Sequence, residues 1–577
     1  MNDALTRAKT WLNETFDPET RAEVQRMIDS DPKALSDAFF KELSFGTGGL
    51  RGIMGVGTSR LNIYTIRAVT LGLANALLKQ PKPEKGHSVF IGYDVRHHSR
   101  EFAEVAARVL AASGIQVKLS TEICPTPIVS YACRRYSCSA AIMITASHNP
   151  PAYNGYKVYW NDGGQVVSPH DKEIIEEVRK VAVDGPIAMS PLDSPLIHWI
   201  GRELDEAYLK ELKSLQLYPP ESIKIVYSPL HGTGIRIIPD ALRSWGYSDI
   251  RLVEEQKTPD GNFTHAPSPN PEEKKALELG TKQLLREKAD LFIATDPDAD
   301  RMGIVVLDKG TPFPLTGNQI ACVALYHICV ALTTSGQFPP NAAFIKTIVT
   351  TELFRKIAES FGGVCIDVLT GFKYIGEQMT IWQNSFDAYQ YLFGAEESYG
   401  YLVGTMVRDK DAISASCLIA EAAAQAKKQN LTLADRLYQI YEKFGIHREA
   451  LATLTFEESS SGMEKMATLM QKLRKNHPAK IGNMSIETIE DYLSSTSKNL
   501  SSGESNRLTL PKSDVLRFWL KDGSKLIIRP SGTEPKVKIY AEVAEHNNKK
   551  QIDVAMQQAD ERLKHLIETF RAEVHKD

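Results

Sequence analysis

Short runs of β-branched and aromatic residues, each followed by a helix-patterned segment, constrain the fold of this chain more than any other feature. Residues 87–93 (HSVFIGY) read as a buried strand. Ser99 is placed to cap the helix that follows, whose acidic first turn and apolar spacing run to Ser113. Gly114 stops that helix, and residues 115–119 form the next strand. Such a βαβ unit calls for a parallel sheet with helices on its faces. The same grammar returns at 140–147, 223–230, 289–296, 342–350 and 388–396. The expected fold class is therefore α/β. With 577 residues the chain has room for about four domains of ~150 residues each.

Composition narrows the function classes. Hydrophobic residues make up 42% and charged residues 24%, globular values that exclude a collagen-like, coiled-coil or largely disordered chain. Lys and Arg total 68 against 71 Asp and Glu, a net charge of −3, so no global charge drives the chain toward nucleic acid or an anionic membrane, which leaves room only for a local basic patch. The longest near-continuous apolar run, residues 320–332, contains His327 and falls short of the ~20 residues a spanning helix needs. It follows Thr316 and Gln319, a capping-box pair, and reads as a core helix. The first ten residues (MNDALTRAKT) are charged and amphipathic, unlike a secretory leader. The seven cysteines are odd in number and lack CxxC spacing, which suits reduced thiols in the cytoplasm. The Pro219-Pro220 pair and the Ser-rich stretch 494–506 read as linkers. Beyond the second, LRFWLK, KLIIRPSG and KVKIYAEV precede a closing helix at 552–573, an α+β pattern unlike the rest.

Several loops carry residue types suited to chemistry. Thr145-Ala146-Ser147-His148-Asn149-Pro150 follows an apolar strand and precedes Asn154-Gly155-Tyr156-Lys157. Ser147 thus sits where α/β sheets present ligands, and serine there can carry a covalent phosphate. On the residues alone, a polar turn fits as well. Asp296-Pro297-Asp298-Ala299-Asp300-Arg301 places three carboxylates at alternating positions between a strand and its return strand. A hard divalent cation relieves their repulsion most simply, with open positions for a phosphate; a solvated acidic turn is the alternative. An EF-hand does not fit, because Arg301 and Leu307 stand where Gly and Glu belong. In 529–538, Arg529, Ser531, Gly532, Thr533 and Lys538 can cradle a dianion, or form a turn with solvated lysines. The loop 45–52 (FGTGGLRG) fails both the Walker A and the GxGxxG patterns and alone reads better as a structural Gly-rich turn, though it could bring Arg51 to a phosphate. Thr370-Gly371-Phe372-Lys373, Glu396-Glu397-Ser398 and Arg408-Asp409-Lys410-Asp411 could suit sugar hydroxyls, though taken singly each reads better as a capped loop. A lone His is more often structural; His148 is kept as a candidate base because it adjoins Ser147, while His231 reads as structural and His97-His98 as loop surface.

Taken together and in this order, TASHNP with NGYK, DPDADR and RPSGTEP resemble the α-D-phosphohexomutase family over nearly the whole chain, from Phe45 to Tyr540. The resemblance implies three related α/β domains with mixed sheets and a C-terminal α+β domain around a central cleft. The corresponding spans are 1–215 with the phosphoserine loop, 216–325 with the metal loop, 326–450 with the sugar loop and 451–577 with the phosphate loop. It implies Ser147 as phosphoryl carrier, and Asp296, Asp298 and Asp300, with the Ser147 phosphate, as Mg²⁺ ligands. Arg529, Ser531, Gly532, Thr533 and Lys538 would bind phosphate, and Thr370, Glu396 and Ser398 the sugar. Thr47, Arg51, Lys157, Arg301 and Lys410 match further active-site positions. Pro297 and Ala395 each stand where Gly is common, and neither change removes a functional side chain.

The implied reaction interconverts α-D-glucose 1-phosphate and glucose 6-phosphate through a phosphoserine and glucose 1,6-bisphosphate, the latter also an activator. Lys157 is the expected base, its pKa depressed by Mg²⁺ and neighbouring cations, with His148 second. Mannose and pentose phosphates, or synthesis of the bisphosphate, are alternatives on the same scaffold, and Glu396 with Ser398 points to a hexose. A DxDxD loop after a strand also resembles dehalogenase-type phosphatases, but Ser147 is the better nucleophile here; intact site residues argue against a silent sensor. The expected partner is a small sugar phosphate, with the protein a monomer or homodimer.

Overall fold

The computed structural model of the chain describes residues 2–43, 46, 49–386, 388–457, 460–531, 535–545 and 552–574. They form two compact units, residues 1–320 with 372–433 and residues 321–371 with 434–577.

The first unit begins with helices Asn2–Thr10, Pro18–Ser30 and Pro32–Phe39, which bury Trp11, Phe16 and Phe39 with Tyr64. A six-stranded sheet follows in the order Gly49–Ile53, Tyr153–Trp160, Ala140–Ile144, Ser88–Tyr93, Gln116–Ser120, Ile197–Ile200. The sequence grammar calls for a parallel sheet, but this one is mixed. Its first two joins are antiparallel, because Tyr153–Trp160 returns directly beside Ala140–Ile144 without a crossover helix. The remaining joins are parallel. The two central strands, Ala140–Ile144 and Ser88–Tyr93, are buried along their length, as near-continuous apolar runs require. Gly114 ends the helix Ser99–Ala112 at φ 77°, the left-handed conformation that favours glycine. Ser99 does not cap that helix. It is the first helical residue, and its hydroxyl donates 2.7 Å to Asp94 Oδ1 instead.

A five-stranded sheet in the same unit runs Thr311–Pro314, Met302–Asp308, Leu291–Thr295, Ile225–Ser228, Ile250–Leu252. Leu291–Thr295 and Met302–Asp308 are the antiparallel pair that flanks the triple-Asp loop. The segment containing Pro219-Pro220 connects the two sheets and is anchored at its start, where the Leu217 and Tyr218 N–H groups donate to Glu421 Oε2. A hairpin of Gln390–Glu396 and Gly400–Val403, with the buried helix Ala412–Lys428, completes the unit. The Thr316/Gln319 capping box is formed, and the helix it opens, Gly317–Thr334, is 72% buried.

In the second unit Ala342–Thr347 and Val364–Val368 pair in parallel across the helix Glu352–Ser360. The C-terminal part is an antiparallel sheet ordered Ile446–Thr455, Lys536–Glu545, Lys525–Pro530, Leu516–Leu520, Met484–Asp491, Thr496–Asn499, Ser505–Arg507, followed by the helix Ile552–Val574. The Ser-rich stretch 494–506 is therefore not a linker. Its two short strands form the edge hairpin of this sheet. They are largely exposed, so they lack the buried apolar face that would have marked them as strands.

A buried ion network holds this unit together. Lys346 Nζ lies 2.9 Å from Glu352 Oε1 and 3.0 Å from Asp367 Oδ1, and Lys525 Nζ lies 2.7 Å from Glu352 and 3.0 Å from Glu542 Oε2. Burial alone would raise the Glu352 pKa, but the two ammonium groups hold it below the usual carboxylate range. Removing one partner strands the others without water. Glu352→Ala is expected to destabilise the unit by about 3–5 kcal/mol, read as a lowered urea midpoint.

Candidate active site

Ser147 lies three residues beyond the strand Ala140–Ile144, in a loop that turns back into Tyr153–Trp160. It is 2% exposed and adopts φ 53°, a left-handed conformation that costs a non-glycine residue about 1–2 kcal/mol. Its Oγ donates to Asp296 Oδ2 at 2.8 Å and lies 3.3 Å from His148 Nδ1. Strain of this kind persists only where surrounding contacts impose it.

The triple-Asp loop is folded on its own first carboxylate. Asp296 Oδ1 accepts the N–H groups of Asp300 at 3.1 Å and Arg301 at 3.0 Å. Asp298 Oδ2 accepts from Thr126 Oγ1 and Lys157 Nζ, each at 2.8 Å. Asp300 Oδ2 lies 3.3 Å from Lys157 Nζ and 3.2 Å from Lys410 Nζ. All three aspartates are buried, with one ligand oxygen of each within 4.8 Å of the others. Asp298 Oδ1 and Asp300 Oδ1 are buried and have no hydrogen-bond donor among the described residues. Orphaned carboxylate oxygens at such a cost, in an all-oxygen donor set, fit a hard divalent cation.

The charges shift one another. Burial and the neighbouring Asp298 and Asp300 push the Asp296 pKa well up. Burial opposes ionisation of Asp298 too, yet Lys157 holds it well below the ordinary value. For Lys157, burial works downward but Asp298 and Asp300 outweigh it, so its pKa is raised. The two carboxylates that face the ammonium set this direction, whereas the depression expected from sequence rests on a cation bound between them. His148 is different. Burial, then Arg301 and Arg51, push its pKa down to about 2, so its imidazole is neutral.

Around this centre, Arg51 Nη1 donates to Asn149 Oδ1 at 3.1 Å, and Arg301 Nη1 to Glu272 Oε1 at 3.2 Å. Glu396 ends the strand Gln390–Glu396, and Ser398 lies half-buried in the turn before Gly400. A side chain at Gly400 would have to displace the Lys410 stem, since an added Cβ would lie 2.3 Å from Lys410 Cδ. Lys410 is aimed by Asp409, whose Oδ1 is 3.2 Å from Nζ and whose Oδ2 accepts from Tyr159 Oη and Gln165 Nε2, both at 2.8 Å. The first unit thus brings together Ser147, His148, Lys157, Arg51, the three aspartates, Arg301 and Lys410.

The second unit carries Thr370, Arg529, Ser531 and Lys538. Arg529 and Lys538 are directly opposed on adjacent strands, and the Ser531 N–H donates to Lys536 O at 2.8 Å. Thr370 Oγ1 is buried with no hydrogen-bond partner among the described residues. Thr47, Gly532 and Thr533 lie outside the described residues.

Sequence reasoning missed Thr126, Asp94 and Arg96, and it picked out Asp409 only as part of the 408–411 segment, not as the residue that aims Lys410. Asp94 and Arg96 immediately follow the strand Ser88–Tyr93, so the rule that α/β sheets place functional groups at strand C-termini could have found them. His231 is structural: Nδ1 lies 2.8 Å from Thr258 O and Nε2 accepts the His265 N–H at 3.1 Å.

Comparison with known proteins places the chain in a family. Four profiles of the phosphoglucomutase/phosphomannomutase family match: alpha/beta/alpha domain I at 42–183, domain II at 206–310, domain III at 316–444 and the C-terminal domain at 472–559. A phosphoglucomutase of Staphylococcus haemolyticus is 37% identical over 525 residues, covering 90% of this chain and 93% of that one. Among solved structures, a phosphoglucomutase/phosphomannomutase family protein from Burkholderia thailandensis superposes with TM-score 0.66 at 17% identity, covering 91% of this chain and 98% of the other. Parafusin (phosphoglucomutase) from Paramecium, in an open form, does so with TM-score 0.64 at 20% identity, covering 92% and 95%. Those two likenesses bear on the fold alone. The four matched domains and the identity over nine-tenths of the length show that the chain belongs to the phosphoglucomutase/phosphomannomutase family and is an enzyme of the intramolecular phosphotransferase class.

Proposed function

We propose that this enzyme interconverts α-D-glucose 1-phosphate and glucose 6-phosphate. The observation that carries the reading is the Ser147 hydroxyl, 2.8 Å from Asp296, beside the orphaned oxygens of Asp298 and Asp300. The 37% identity to a phosphoglucomutase supports glucose as the sugar. In the forward direction phosphorylated Ser147 gives its phosphoryl group to the free sugar hydroxyl. The Ser147 Oγ–P bond breaks, a sugar O–P bond forms, and the hydroxyl proton passes to a base. The resulting glucose 1,6-bisphosphate reverses end for end, and its other phosphoryl group returns to Ser147.

Mg²⁺ held by Asp296, Asp298 and Asp300 would neutralise charge on the transferring group and shield Lys157 from the carboxylates. Lys157 is our candidate base, reached from Tyr153–Trp160 beside the Ser147 loop. His148 is the second, because its imidazole is neutral and adjoins Oγ. Arg301, Lys410 and Arg51 supply further positive charge, Glu396, Ser398 and Thr370 the sugar contacts, and Arg529, Ser531 and Lys538 the phosphate that is not reacting. The seven cysteines, all unpaired and buried, accord with the cytoplasm.

A coupled assay for glucose 6-phosphate from glucose 1-phosphate, with and without added bisphosphate, tests the reading. Activity raised by the bisphosphate is expected; release of inorganic phosphate without isomerisation would make the enzyme a hydrolase. In the same assay Arg529→Ala should raise KM by about 10–100-fold with kcat little changed, the effect of losing one or two charge-assisted hydrogen bonds to bound phosphate. Unchanged KM would remove Arg529 from the site.

A further inference from the structure

We propose that Arg96, anchored by Asp94, is a positioning residue that holds the backbone of Ser147 in the conformation that presents its hydroxyl. The inference rests on Ser147 as the phosphoryl carrier.

The Arg96 side chain is 0% exposed, and its guanidinium serves the Ser147 loop almost alone. Nη2 donates to Ser147 O at 2.6 Å and to Asn149 O. Nη1 donates to Pro150 O and Tyr153 O, both at 2.9 Å. Nε faces Asp94 Oδ2 at 3.2 Å, and the plane lies over the Phe263 ring at 4.9 Å. One planar fork therefore gathers the carbonyls of a whole turn. A lysine has neither the donors nor the rigid geometry to do so.

Asp94 closes the circuit from the other side. Its Oδ1 accepts from the Arg96 N–H at 2.9 Å and from Ser99 Oγ at 2.7 Å, and its Oδ2 from Thr145 Oγ1 at 2.6 Å. Thr145 Oγ1 in turn accepts the Ser147 N–H at 2.9 Å. Both main-chain polar groups of Ser147 are thus tied to one buried carboxylate, the N–H through Thr145 and the carbonyl through Arg96. Between those tethers the residue sits at φ 53°. Glycine would take that conformation without help but has no hydroxyl, so a serine here needs an external clamp. The reaction uses the same hydroxyl twice per turnover, and small misplacement of a reacting atom is costly.

The test uses the full chain. Arg96→Lys is compared with parent and with Arg100→Ala, which removes only an exposed pair with Glu104. Read out are kcat, KM for glucose 1-phosphate, the rate of phosphate uptake from glucose 1,6-bisphosphate by intact mass, and the thermal transition. We expect kcat and phosphate uptake in Arg96→Lys to fall together by about 100-fold with KM within a few-fold, and millimolar guanidinium to restore part of the kcat of Arg96→Ala. A lower thermal transition with kcat per folded molecule unchanged would make Arg96 merely structural and overturn the proposal. Should neither Arg96 variant fold, Thr145→Val cuts only the N–H tether. It should lower kcat about 10-fold at constant KM, and parental kcat in that variant overturns the proposal equally. If the parent takes up no phosphate, the functional reading itself fails; uptake by the parent that Arg96→Lys matches defeats the clamp alone.

Discussion

Ser147→Ala is expected to lower kcat by at least about 10⁴-fold, the scale on which a covalent carrier is lost when nothing can take over its bond. Intact mass should show one phosphate added to the parent after exposure to glucose 1,6-bisphosphate and none added to the variant. The fold should survive. The alanine leaves Asp296 Oδ2 without its 2.8 Å donor, a loss of about 1–3 kcal/mol. Ser147→Gly separates chemistry from stability more sharply, because glycine at φ 53° relieves about 1–2 kcal/mol of backbone strain. It should melt no lower than the alanine variant and be as inactive. Strain that glycine would remove is then present only because the hydroxyl is needed. Parental activity in either variant would exclude Ser147 as the carrier, and with it the bisphosphate route.

What the sequence discloses about this site depends on how far apart the interacting residues lie. The triple-Asp loop is legible because its signal is local: three carboxylates at alternating positions, between an apolar run and its return strand, repel one another wherever the chain goes. The strand runs are legible for the same reason, since burial on both faces leaves continuous apolar stretches. The supports of the site are not local. Thr126 reaches Asp298 across 172 residues, Tyr159 reaches Asp409 across 250, and Arg96 reaches the Ser147 carbonyl across 51. No spacing rule encodes such pairs. Ser99 shows how a correct local preference loses to a distant partner: serine suits a helix N-cap, but buried Asp94 takes its hydroxyl. The edge hairpin within 494–506 is the converse, since exposed strands carry no apolar alternation and read as linker. Lys157 shows the limit for electrostatics. Its position beside Ser147 follows from the motif, but the sign of its shift depends on two carboxylates aimed at it from another loop.

Asp296→Asn should separate metal binding from folding, because asparagine can keep every hydrogen bond that Asp296 makes. Its amide oxygen can still accept the Asp300 and Arg301 N–H groups, and its NH₂ can donate to Ser147 Oγ, which is able to accept. The substitution puts a neutral amide where burial, Asp298 and Asp300 all oppose a carboxylate. Without added metal, the variant should therefore be within about 1 kcal/mol of the parent or more stable. With Mg²⁺ the order reverses. At 100 times its dissociation constant a bound cation adds about 2.7 kcal/mol to the parent, seen as a higher melting transition of the first unit, and the variant should gain little. Activity should fall by about 10³-fold or more, since charge stabilisation by a bound cation supplies several kcal/mol of the barrier reduction. A variant that keeps both the Mg²⁺-dependent shift and the activity would remove Asp296 from the ligand set. A parent that shows no shift at millimolar Mg²⁺ would leave the orphaned oxygens of Asp298 and Asp300 with no ligand to explain them. If instead the variant is as stable as its parent, inert to Mg²⁺ and inactive, the burial of three like charges in one loop is explained by catalysis, because the fold gains nothing from the third.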